Sequence, residues 1–219
     1  MQQYQLTFID LALRRNALRF GHFTLKSGRE SPYFFNAGLF SDGESAAVLG
    51  RCYAAALSAA GVGFDMLFGP AYKGVPLATA TAVALWNEQA RSVPYAFNRK
   101  EAKEHGEGGQ VVGAPLAGRV LIVDDVITAG TAVRESLALV RAAHAQPVGV
   151  ALALDRQERG QGALSAVQEL EQAESLKCVS IVTLAELVAA LARPPDGRAR
   201  ISDEQLTALR AYQARYGVR

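Results

Sequence analysis

Two neighbouring carboxylates, Asp124 and Asp125, close an aliphatic run, Arg119-Val120-Leu121-Ile122-Val123, and lead into a turn of small residues, Thr128 to Ala132. The aliphatic run reads as a strand buried on both faces. Beyond the turn, Val133, Leu137 and Val140 recur at helical spacing. A strand–turn–helix joint leaves unpaired backbone N–H groups at the helix start, with the positive end of the helix dipole behind them. Such a joint can cradle a phosphate. Gly130 lets the backbone close around an anion, and the hydroxyls of Thr128 and Thr131 add donors. The two acids would repel that phosphate unless they face another part of the same ligand. The vicinal hydroxyls of a ribose meet this condition, because carboxylates accept hydrogen bonds from a diol. The stretch through Val126, Ile127, Ala129 and Ala132 therefore reads as a grip on a sugar phosphate at both ends. The competing reading is an ordinary turn whose Asp, Thr and Gly are cap and loop residues.

A second turn, Gly69-Pro70-Ala71-Tyr72-Lys73-Gly74-Val75-Pro76, carries one lysine at its centre. With glycine and proline on both sides it reads as a tight anion loop, its amides and Lys73 taking a pyrophosphate; by itself it also matches a surface turn with a solvated lysine. From Arg99 to Gln110 four potential cations, Arg99, Lys100, Lys103 and His105, stand among acids and glycines. Charge runs are usually solvated faces. A mobile cationic lid over a leaving pyrophosphate needs the same composition. Phe34-Phe35, near Lys26, are either a sandwich for a flat anionic heterocycle or core positions of an edge strand. His22, His105 and His144 lack metal-ligand spacing, so a metal is expected to arrive with the substrate. Cys52 and Cys178 read as two buried thiols in a reducing cytoplasm.

The elements that must position these residues follow from periodicity. Residues 4–19 carry Leu6, Ile9, Leu13 and Leu18, which predicts an amphipathic helix. Phe20 to Leu25 and Pro32 to Asn36 read as two short strands. A cap at Ser41-Asp42-Gly43-Glu44 starts a helix that ends at Gly61. Strands are expected at Asp65 to Gly69, Val93 to Asn98, Val148 to Leu154 and Val179 to Val182. Helices are expected at Val75 to Gln89 and on both sides of Pro194-Pro195. Alternation at these lengths predicts an α/β fold with a central parallel sheet and helices on both faces. Sites in such sheets lie beyond the carboxyl ends of the strands, which puts Asp124, Arg156, the Gly69–Gly74 turn and the Arg99–Gln110 stretch along one edge. Walker-type and dinucleotide glycine fingerprints are absent. A net charge of +2 calls for no nucleic-acid or anionic-membrane partner. No apolar run approaches membrane-spanning length, and Met1 to Gln5 do not begin a signal peptide, so a cytoplasmic location is expected.

The central segment, Val120 to Ala132 with Asp124-Asp125 and Thr128-Ala129-Gly130-Thr131, resembles the phosphoribosyl-pyrophosphate (PRPP) binding motif of the type I phosphoribosyltransferases. Asn98 to Gly109 and Phe23 to Asn36 are similar to the catalytic loop and the substrate hood of the orotate phosphoribosyltransferases. The resemblance runs from Phe20 to Arg156 and implies a type I phosphoribosyltransferase fold in a single domain over 1–219. In it, residues 1–40 and part of the C-terminal region form a small hood. It implies Asp124 and Asp125 on the ribose 2′ and 3′ hydroxyls, and the turn to Ala132 on the 5′-phosphate. Lys26, Tyr72, Lys73, Arg99, Lys100, Lys103 and His105 would meet PRPP, with His105 the candidate for proton transfer. Lys26, Phe34, Phe35, Thr128 and Arg156 would meet orotate. It further implies Mg²⁺ carried by PRPP, and a homodimer in which Arg99, Lys103 and His105 serve the partner's site and Lys100 its own. Two other readings share parts of this pattern. A purine or uracil phosphoribosyltransferase would lack the Lys26, Phe34-Phe35 and lid sequences. A PRPP-sensing nucleic-acid regulator would need a basic face or an added domain, which charge and length do not provide.

Overall fold

The computed structural model describes the chain except residues 26–27, 104–108, 129, 161, 195–196 and 219; for 102, 103 and 109 it describes the backbone alone. The chain opens with α1 (Gln3–Arg14) and an antiparallel pair, β1 (Leu18–Thr24) and β2 (Glu30–Phe35). The remainder alternates: α2 (Gly43–Ala60), β3 (Met66–Gly69), α3 (Gly74–Gln89), β4 (Tyr95–Lys103), β5 (Gly109–Gly113), β6 (Arg119–Asp124), α4 (Thr131–Ala142), β7 (Gln146–Asp155), α5 (Ala166–Glu174), β8 (Lys177–Thr183), α6 (Leu184–Ala192) and α7 (Asp203–Tyr216). The main sheet has the order β5-β4-β3-β6-β7-β8, parallel except for β5, which pairs antiparallel with β4 at one edge.

Alternation along β6 divides the core. Leu121 and Val123 face a cluster built with α2, α3, α6 and the N-terminal helix, whereas Val120 and Ile122 face a second cluster with Val133, Leu137 and Val140 of α4 and Leu170 of α5. Helices therefore cover both faces. Their ends are written locally: Asp42 accepts from Ser45 N at 2.7 Å to start α2, and Gly61 closes it in the left-handed region (φ 62°). Reciprocal capping boxes start α5 (Ser165, Gln168), α6 (Thr183, Glu186) and α7 (Ser202, Gln205). The β1–β2 pair stands apart from the main sheet. Phe35 packs against Phe8 of α1, and Tyr33 meets Tyr212 of α7 edge-on.

Three expectations need correction. The first helix stops at Arg14 rather than residue 19, because Asn16 turns left-handed (φ 54°) and sends Leu18 into β1 opposite Phe35. The sheet is not wholly parallel, and the polar Arg99–Gln110 stretch is strand at both ends: β4 runs on to Lys103, whose backbone pairs with Gly109 of β5. Backbone pairing at a sheet edge needs no apolar side chains, so composition concealed it. Cys52 is buried as expected, but Cys178 is only partly so; neither forms a disulfide, and burial pushes both thiols up to about 12. Among the described residues no helix is long and apolar enough to cross a membrane.

Candidate functional site

The carboxyl ends of β3, β4, β6 and β7 share one edge: Gly69 pairs with Phe97, Phe68 with Ile122, and Asp124 with Leu152. Asp124 ends β6 and Asp125 follows it, with relative exposures of 9% and 6%. Tyr53 of α2 donates its hydroxyl to the Asp124 carbonyl at 2.8 Å, and Ala153 and Leu154 of β7 donate their N–H groups to the Asp125 carbonyl. The Asp125 N–H donates to Asp124 Oδ1 at 2.8 Å. Burial, joined by the charge of Asp125, holds the Asp124 carboxyl well above the usual carboxylate range. An acid pair held this way is primed to accept hydrogen bonds from a neutral diol or to take a cation.

A cation is already there. Lys73 Nζ lies 2.7 Å from Asp125 Oδ2. The loop between β3 and α3 brings it, and that loop lies directly against β6. A Cβ on Gly74 would stand 2.4 Å from Pro70 Cδ and 2.7 Å from the Val123 carbonyl, and one on Gly69 would stand 2.2 Å from the Gly74 carbonyl. The loop contains a cis peptide at Ala71-Tyr72, and its Ala71 N–H donates to Asn98 Oδ1 of β4 at 2.8 Å. Tyr72 is 70% exposed and takes the Lys100 ammonium 4.8 Å from its ring centroid. Tyr72, Asn98, Arg99 and Lys100 line an open cleft of about 480 Å³ beside the loop. Since Phe97 is level with Gly69, the six further residues of β4 extend roughly 20 Å past the end of β3.

On the other side of the acids, Gly130 (φ 72°) starts α4, so Thr131 and Ala132 bring N-terminal amides to the turn. Ile127 is buried, Val126 half-buried and Thr128 exposed. Arg156, just past β7, donates through Nε and Nη2 to Glu158 Oε1 (2.9 and 2.7 Å) and through Nε to the Tyr33 hydroxyl (3.1 Å). Phe34 and Phe35 are consecutive strand residues facing opposite ways. Phe34 stacks on Phe23 beneath Arg19, and Phe35 packs on Phe8 and Phe40. They do not sandwich one ring between them. Lys26, Ala129 and His105 lie outside the described residues, as does the Lys103 side chain.

The structure thus joins Lys73 to Asp125 and Lys100 to Tyr72, and sets Arg99 along the same cleft. Sequence reading passed over Tyr53, Asn98 and Tyr33, which reach the site through contacts between residues distant in the chain, and Glu158, which lies two residues from Arg156. Asn98 alone carried a local signal, as a polar residue closing the apolar run of β4.

Comparisons with known proteins bear on this geometry. The phosphoribosyl transferase domain model matches residues 42–180. The chain is 61% identical to the orotate phosphoribosyltransferase of Thioalkalivibrio sulfidiphilus and 57% identical to that of Klebsiella pneumoniae, over 218 residues and 100% of both chains in each case. The crystal structure of orotate phosphoribosyltransferase from Francisella tularensis superposes with a TM-score of 0.84 at 38% identity, covering 96% of this chain and 98% of the other. The Mycobacterium tuberculosis orotate phosphoribosyltransferase in complex with PRPP superposes at 0.62 with 27% identity, covering 83% and 98%.

Proposed function

Because this chain belongs to the orotate phosphoribosyltransferases, enzymes of pyrimidine biosynthesis in the type I phosphoribosyltransferase family, we propose a division of its site into an acidic ribose seat and a cationic diphosphate cover. The reaction joins orotate N1 to C1 of PRPP and releases pyrophosphate, giving orotidine 5′-monophosphate. Bond breaking at an anomeric carbon builds positive charge on the sugar and negative charge on the leaving group. Asp124 and Asp125 hold the ribose hydroxyls and stabilise the first. Lys26, Tyr72, Lys73, Arg99, Lys100 and Lys103 meet the second, and His105 gives a proton to the leaving pyrophosphate. The turn Val126 to Ala132 wraps the 5′-phosphate. Arg156 takes the orotate carboxylate, with Lys26, Thr128 and the strand backbone at Phe34 and Phe35 around the ring. The observation that carries this reading is the Lys73–Asp125 pair, which brings the diphosphate cation and the ribose acid into contact at the strand ends.

The donor set fits Mg²⁺ brought in by PRPP. Two adjacent carboxylates are hard oxygen donors, so Asp124 and Asp125 would hold the ion beside the ribose. It would supply neutralisation of the diphosphate charge there. We also propose one domain over 1–219 with a hood from 1–40 and part of the C-terminal region. In the proposed homodimer, Arg99, Lys103 and His105 complete the partner's site while Lys100 serves its own. The span of β4 past β3 supports the part given to Lys103, since it carries the backbone of that residue away from the chain's own strand ends. Two free thiols fit a cytoplasmic location. The test is the loss of orotate absorbance when PRPP and Mg²⁺ are added, against uracil and hypoxanthine as alternative acceptors. Consumption of either alternative in place of orotate would overturn the acceptor assignment.

A further inference from the structure

We infer that Glu158 is a positioning residue for the substrate carboxylate, holding one edge of the Arg156 guanidinium so that the other edge is left for orotate. The inference rests on the reading of Arg156 given above. A guanidinium offers two edges to carboxylates, a side edge of Nε with one Nη and an end edge of both Nη groups. Glu158 Oε1 takes the side edge, at 2.9 Å from Nε and 2.7 Å from Nη2. Among the described residues no hydrogen bond uses Nη1 of Arg156. The Tyr33 hydroxyl accepts from Nε at 3.1 Å and donates to Glu158 Oε1 at 3.0 Å, which closes a three-membered ring of contacts. Burial keeps that phenol protonated and able to donate.

Glu158 is itself fixed from the far side. Arg29 Nη1 lies 3.3 Å from Oε2, and the Arg29 guanidinium covers the Tyr216 ring at 4.5 Å. The backbone around Glu158 is tied to the end of α7: Val218 N–H donates to the Gln157 carbonyl, and Arg159 N–H to the Tyr216 carbonyl. The C-terminal residues thus fasten the loop that presents Arg156. Charge supplies the second argument. Among the described residues the ion-paired set Arg29, Arg156 and Glu158 sums to one unbalanced positive charge, and the side chains of Arg156 and Glu158 are only 14% and 13% exposed. A mostly buried surplus cation is costly when empty and is answered by one ligand carboxylate. A closed structural clamp would balance its own charges; this cluster does not.

The test compares Glu158→Gln, Arg156→Ala, the double variant and Tyr33→Phe by steady-state kinetics in both substrates, with thermal melting as the folding control. Glu158→Gln is expected to raise the orotate KM about tenfold, leaving the PRPP KM within about twofold. Tyr33→Phe should raise it by about threefold. The double variant should be no worse for orotate than Arg156→Ala alone, because Glu158 acts through the arginine. If Arg156→Ala raises the orotate KM while Glu158→Gln leaves it unchanged or lowers it, the positioning role is overturned and the reading of Arg156 stands. If Arg156→Ala leaves the orotate KM unchanged, both fall. Equal increases in the two KM values with a lowered melting temperature would mark a general structural clamp and overturn the inference.

Discussion

Removing Lys73 tests the electrostatics of the acid pair without any ligand. In Lys73→Ala, Asp125 loses the ammonium 2.7 Å away, and two adjacent carboxyls under 10% exposed are left without that cation. Breaking a fully buried pair costs roughly 3–5 kcal/mol. The Lys73 side chain is 49% exposed, so solvent screens the pair and about 1–2 kcal/mol is the appropriate scale. For a chain of this size that is a fall in melting temperature of roughly 3–6 °C. The pH dependence carries the sharper information. Burial and its neighbour raise Asp124 above the usual carboxylate range, and Lys73 opposes that rise. A carboxyl raised in the folded state binds its proton more tightly than in the unfolded chain. Its stabilising contribution is whole below the unfolded value and is lost as pH climbs through the folded one. Without Lys73 the folded value rises further, so the deficit of the variant should grow between about pH 5 and about pH 8, on top of the ion-pair loss. Differential scanning calorimetry of both proteins across that range measures it. A deficit that is constant with pH, or larger in acid, would refute the coupling of Lys73 to the acid pair.

Gly74→Ala forces a methyl against Pro70 and the Val123 carbonyl, so the loop must lift; a stability loss of ~1–3 kcal/mol and a raised PRPP KM are expected, and an unchanged PRPP KM would count against the loop assignment. Lys103→Ala and His105→Ala should each lower kcat by roughly 10²–10³ with little change in PRPP binding, measured by steady-state kinetics and calorimetric titration; unchanged turnover in either removes that residue from the chemistry. Mixing an Asp125→Asn protein with a Lys103→Ala protein should restore part of the activity if sites are completed across subunits, and no recovery after confirmed subunit exchange would place each site within one chain.

What could be read from sequence was what is local. The strand Val120 to Val123, the acids after it and the glycine turn sit within one short segment, where buried-strand composition and turn chemistry leave few alternatives. The cap at Asp42 and the stop at Gly61 were legible for the same reason. Leu18 misled because it continues the helical spacing of α1, while the left-handed turn at Asn16 depends on the strand pairing that follows. β5 was hidden because an edge strand draws its order from a partner's backbone. The pairings Tyr53 with Asp124, Ala71 with Asn98, and Arg156 with Glu158 and Tyr33 differ in kind. The first two join residues 71 and 27 positions apart, and the hydroxyl of Tyr33 reaches Arg156 across 123. No periodicity reports them. Glu158 is only two residues from Arg156, yet its meaning depends on Arg29 and α7 closing over it.

The most direct test of the acid seat is a crystal structure of this protein with PRPP and Mg²⁺. The ribose 2′ and 3′ oxygens are expected within about 3 Å of the Asp124 and Asp125 carboxylates, with Lys73 Nζ moved from Asp125 onto a phosphate oxygen. A bound ribose whose diol lies beyond hydrogen-bond reach of both acids, with Lys73 still on Asp125, would contradict the account.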